Sequence, residues 1–120
     1  MKAAKYSDHY DYTDEFRKPL LSALRRSVLD LQQGLVETIT AGQRIAYKKP
    51  GKPNFLEIKV QREAIVLHLA NLEGLADPDG ILLEIPDTHE WNQLSRRAKI
   101  ETANDLTNLA VFVRAAWLRS

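Results

Sequence analysis

The chain contains no cysteine, so disulfides, thiolate nucleophiles and thiolate metal ligands all drop out of consideration. A reducing compartment is permitted by that absence but not required by it. No apolar run approaches the roughly 18 residues of a membrane span. The first twelve residues are polar and tyrosine-rich, without the apolar core of a signal peptide. The cytoplasm is therefore the expected address, with no membrane partner. An excess of charge of one sign is also missing: 17 Lys and Arg against 16 Asp and Glu leave +1, so no global field draws the chain to nucleic acid or anionic lipid. Any such attraction has to be local. The three histidines, His9, His68 and His89, are isolated and lack paired ligand spacing. Neither a Gly-x-Ser-x-Gly elbow nor the common glycine-rich phosphate loops occur, so nothing points to nucleophilic hydrolysis or ordinary nucleotide chemistry. No metal and no cofactor are expected.

What is present describes an ordinary globular domain. At 120 residues, with 44% apolar and 28% charged, the chain can bury a core without covalent staples. Residues 1–12 read as an arm or linker and residues 13–120 as a single α+β domain. Thr13, Asp14 and Glu15 supply a cap and early acids for a helix near 19–33, with Pro19 restricted to its first turn. Leu20, Leu21, Leu24, Val28, Leu31 and Leu35 recur at helical spacing, and Gly34 or Gly42 is the expected stop. Residues 36–41 are ambiguous between a loop and a short strand.

The organising stretch is Arg44 to Ala70, three apolar-rich runs that predict an antiparallel meander. Its bends fall at Pro50-Gly51-Lys52-Pro53 and near Arg62-Glu63. Leu56, Ile58 and Val60 share one face of the middle run, and Glu57, Lys59 and Gln61 share the other, giving one dry side and one wet side. A turn-rich connection holding Asp77-Pro78-Asp79-Gly80 leads to an apolar run over 81–85. A polar stretch around Trp91 and a short strand over 96–101 follow. Thr102 with Asp105 three residues on forms a capping box for a helix near 103–118, whose stripe is Leu106, Leu109, Ala110, Val113, Ala116 and Trp117. The two helices are expected on one face of the sheet, which leaves the other face as the working surface.

Two chemical signals stand out. Glu57-Ile58-Lys59 has the Glu-x-Lys spacing of metal-dependent nucleases, in which a carboxylate binds a divalent ion and a lysine on the same strand face supports the attacking water. Such a site needs a further acid, for which Glu37 is the best available; a solvent-facing charge pair explains the same residues. The second signal is basic. Lys48, Lys49 and Lys52 crowd one bend, Arg44 and Lys59 lie on its strands, and Arg96, Arg97 and Lys99 form another cluster. If the clusters meet, they bind phosphates, with Tyr47 or Trp91 to stack on a base. The plain alternative is that lysines protect an exposed turn and sheet edge from aggregation.

A Tyr-Ser-x-x-His-like arm (here Tyr6-Ser7-Asp8-His9), Ile45-Ala46-Tyr47-Lys48, Asn54-Phe55, Asp77-Pro78-x-Gly80, Trp91 and a terminal helix ending in Ala-Trp together resemble the small bacterial and archaeal domain numbered 5655 among domains of unknown function. The likeness covers roughly residues 7 to 118 and departs after Gly80, where Pro86-Asp87-Thr88-His89-Glu90 replaces a glycine-rich stretch. It implies an α+β domain often C-terminal in larger proteins, including GmrSD-type restriction proteins and nuclease-associated proteins, with no catalytic residues to carry over. The leading expectation is a non-catalytic binding module in nucleic-acid metabolism or antiviral defence. It would hold DNA or RNA phosphates through Arg44, Lys48, Lys49, Lys52, Arg96 and Arg97. The alternatives are a nuclease using Glu57 and Lys59, and a protein-docking or dimerisation domain engaging a partner or its parent chain; the oligomeric state is left open.

Overall fold

Alternation in the meander decides the architecture. Leu56, Ile58 and Val60 are fully buried while Glu57 and Lys59 between them keep partial exposure. A buried aliphatic side chain stabilises by about 1.5–3 kcal/mol, against roughly 0.2–0.5 kcal/mol for a surface charge pair along a helix. The apolar face therefore fixes the strand register, because a one-residue slip would put every one of these side chains in water.

The computed structural model describes residues 5–40, 44–84 and 94–120. Its elements in chain order are α1 (Tyr6–Tyr12), α2 (Lys18–Leu29), β1 (Val36–Thr40), β2 (Arg44–Lys48), β3 (Leu56–Val60), β4 (Ile65–Ala70), β5 (Leu83–Glu84), β6 (Leu94–Ile100) and α3 (Ala103–Leu118). The strands form one antiparallel sheet in the order β1-β2-β3-β4-β6-β5. Leu21, Leu24 and Val28 of α2 and Leu109, Phe112, Val113 and Ala116 of α3 bury against Ile45, Tyr47, Leu56, Ile58, Leu67, Leu69 and Ile100. This is the α+β arrangement that the sequence predicts. Among the described residues, no helix is long and apolar enough to cross a membrane.

Several expectations need correction. The N-terminal arm is in part a docked helix: the Tyr6 hydroxyl lies 2.9 Å from that of Ser22, and the Arg25 guanidinium sits 4.1 Å from the Tyr6 ring centroid. Helix α2 ends at Leu29 rather than near residue 33, and Gly34, at φ +85°, turns the chain five residues later. Of the ambiguous stretch after it, Val36–Thr40 becomes β1, and the described part of the 81–85 run, residues 81–84, contributes the two residues of β5. Gly42, His89 and Trp91 lie outside the described residues.

The last helix starts as its sequence dictates. Asp105 accepts from the main-chain N–H groups of Glu101 and Thr102 at 2.7 and 3.0 Å, and the Thr102 hydroxyl accepts from Asp105 N–H at 3.4 Å. That box satisfies donors which the first turn of a helix leaves open.

Candidate functional site

Strand pairing sorts the polar residues between two faces. Across β2, β3, β4 and β6 the partners Ile45, Ile58, Leu67 and Ala98 stand in one row beneath the helices. The neighbouring rows point the other way, since side chains alternate. One is Arg44, Lys59, Val66 and Lys99; the next is Ala46, Glu57, His68, Arg97 and, on β5, Leu83. Lys48, two residues beyond Ala46 on β2, shares their face. No described residue of this second face belongs to the helix-side core, not even Ala46, Val66 or Leu83.

The face is strongly asymmetric in charge. Among the described strand residues it presents five cations, Arg44, Lys48, Lys59, Arg97 and Lys99, against one carboxylate, Glu57. With strands about 4.8 Å apart, the row from Arg44 to Lys99 spans roughly 14 Å. Arg44 approaches Glu57 at 3.7 Å. Burial pushes the Glu57 carboxyl above its ordinary range, while Arg44 and a hydrogen bond with the Asn54 side chain pull it back. His68, 6% exposed, stands between Glu57 and Arg97 in the row. Among the described residues, Lys48, Lys59, Arg97 and Lys99 form no ion pair, and Arg97 Nε is buried without a hydrogen-bond partner. At the β6 end of the face, Val66, Leu83, Arg97, Ala98 and Lys99 line a pocket of about 310 Å³.

The sequence-predicted cations divide. Arg44, Lys48 and Arg97 reach this face, but Arg96, opposite Leu69, belongs to the helix side because adjacent strand residues point in opposite directions. Lys49 lies just past the end of β2, with its ammonium 5.3 Å from the Trp117 ring centroid and 3.3 Å from the main-chain oxygen of Ser120. Lys52 is exposed in the turn beyond it. The two basic clusters thus meet through Arg44 and Lys48 on one side and Arg97 on the other, bridged by Lys59 and Lys99. Lys59 and Lys99 already belong to the basic clusters read from the sequence, but the apolar pair Val66 and Leu83 was not legible as part of a site without the register.

Tyr47 does not serve as a stacking platform. It is fully buried on the helix side, with its hydroxyl donating to Glu37 Oε2 at 2.7 Å. Arg25 holds the same carboxylate through Nε and Nη2 at 2.9 and 2.8 Å. Arg25 and Tyr47 together hold the Glu37 carboxyl below its ordinary value, with Arg25 the largest influence, while burial keeps the Tyr47 phenol protonated far above its usual range. Glu37 is therefore spoken for and lies on the opposite face from Glu57, so the two acids do not assemble with Lys59 into a metal site. Among the described residues, no group of three or more His, Asp or Glu side chains is arranged to hold a metal ion.

Comparison of the chain with protein-family models, with curated proteins and with solved structures finds no match.

Proposed function

We propose that this chain is a non-catalytic binding module of nucleic-acid metabolism that holds a phosphate backbone on the sheet face opposite its helices, through Arg44, Lys48, Lys59, Arg97 and Lys99. One observation carries the reading: among the described strand residues, five cations and one carboxylate share that face while the whole chain is nearly neutral at +1. Segregation of this kind creates a local field that the net charge conceals. Small or apolar neighbours, Ala46 and Val66, lie between the cations and let lysine stems rest on the sheet with their ammonium groups in water.

Phosphate contacts give affinity without sequence selectivity, so dissociation constants of about 10⁻⁴–10⁻⁶ M at physiological salt are expected. Fluorescence anisotropy with labelled DNA and RNA at low ionic strength tests the reading. Binding should fall in Lys59→Glu/Lys99→Glu and persist in Lys49→Glu/Lys52→Glu, whose charges lie off the face. Absence of binding to every oligonucleotide at low salt overturns it.

A further inference from the structure

The pocket at the β6 end of the charged face is chemically unlike the rest of it. Leu83 is 53% exposed, one of the few large apolar side chains in the described chain left so open. It is paired with Arg97 across β5 and β6 and lines the pocket together with Val66, Ala98 and Lys99. An apolar floor with two cations at its side is suited to a flat, partly apolar group that carries an anion. Arg97 Nε is buried beside the pocket without a hydrogen-bond partner, one of few such side-chain atoms among the described residues, so at that atom no protein acceptor engages the guanidinium.

We infer that this pocket is a nucleotide subsite for single-stranded nucleic acid, in which a base lies against Val66 and Leu83 while its phosphate is held by Lys99 and Arg97. The inference rests on the phosphate-binding reading above and extends it from a backbone to a strand type. Bases in a duplex are stacked and paired with one another and cannot offer a free face to such a floor, whereas an unpaired strand can. The Arg44, Lys59, Val66, Lys99 row leads across the sheet into the pocket, so a strand lying along the row delivers a nucleotide to it.

The experiment compares three labelled probes of equal length at one low salt concentration: oligo-dT, the same sugar-phosphate chain without bases, and a duplex. The wild-type chain binds oligo-dT about tenfold more tightly than the abasic chain, the scale expected for one stacked base. Leu83→Ala, at an exposed position whose truncation leaves the fold intact by circular dichroism, brings oligo-dT down to the abasic level without altering abasic binding. Leu83→Gln, which keeps bulk but loses the apolar surface, behaves likewise. Equal binding of oligo-dT and abasic chain with no effect of either substitution overturns the subsite and leaves the phosphate reading standing. Duplex binding as tight as oligo-dT also overturns it. Failure of all three probes to bind removes the phosphate reading, and the subsite falls with it.

Discussion

Glu37 and Glu57 occupy opposite faces of one sheet, and each faces an arginine at a different range. Arg25 meets Glu37 at 2.8 and 2.9 Å through two donors, whereas Arg44 comes only to 3.7 Å of Glu57. The first pair clamps a helix to an edge strand. The second leaves a partly buried carboxylate within a field of cations, where its charge opposes anion binding.

Glu37→Gln should therefore destabilise the fold by about 1–3 kcal/mol, because a half-buried arginine loses its bidentate acceptor. Tyr47→Phe removes a single hydrogen bond and should cost about 1 kcal/mol. Urea titration of both variants checks the order, with Glu37→Gln the more damaging.

Glu57→Gln should act on binding in the opposite sense. Removing the face's one described carboxylate strengthens phosphate binding by up to about fivefold, the scale of a partly exposed charge interaction. Anisotropy at fixed low salt measures it; weaker binding would place the ligand elsewhere.

Acid should loosen the N-terminal helix first. His9 is 1% exposed, with Nε2 3.2 Å from the Thr40 carbonyl oxygen and Nδ1 buried without a partner. Facing a carbonyl, Nε2 carries the proton and donates, so further protonation puts a proton on Nδ1 where no acceptor waits. Burial accordingly lowers its pKa below the ordinary 6.5; the Thr40 carbonyl and the Asp8 charge only partly offset this. As pH falls below 6.5 the unfolded chain binds the proton before the folded one, so stability declines until the folded pKa is passed. Glu37 has a depressed pKa, and its contribution is intact above 4.5 and lost as pH drops further. Glu57, with a raised pKa, works the other way, and acid relieves its burial penalty. Thermal melts from pH 8 to 5.5 should show a falling midpoint that His9→Gln abolishes.

At the start of α3, Asp105→Ala should cost more than Thr102→Ala. Asp105 accepts two main-chain N–H groups at 2.7 and 3.0 Å, whereas Thr102 accepts one at 3.4 Å. The threonine change should cost about 0.5–1 kcal/mol. Denaturant midpoints of the two variants give the comparison.

How much of this was readable beforehand follows from where each signal resides. The meander and both long helices announce themselves through aliphatic periodicity, and the Thr102 capping box through local spacing. Helix α1 does not, because its buried stripe is Tyr6, His9, Tyr10 and Thr13, spaced as a helix but built from half-polar residues. Those residues become a face only when Ser22, Arg25 and the Thr40 carbonyl are there to receive them. Within the site, parity separates Glu57 and Lys59 from Ile58 at once. It gives no hint that Arg96 and Arg97 part company with respect to Arg44, which depends on a pairing register between strands distant in the chain. Lys48 and Lys49 look equivalent in sequence, yet the end of β2 falls between them.

The central claim is that the phosphate-binding charge sits on one sheet face, and the salt dependence of affinity tests it most directly. For a single strand, log K falls with log salt at about −0.7 for each phosphate neutralised, so five cations predict a slope near −3.5. In Lys59→Glu/Lys99→Glu the slope should flatten by about 1.4 or more, while Lys49→Glu/Lys52→Glu keeps the wild-type value. A slope that flattens equally in both double variants, or in neither, would contradict the account.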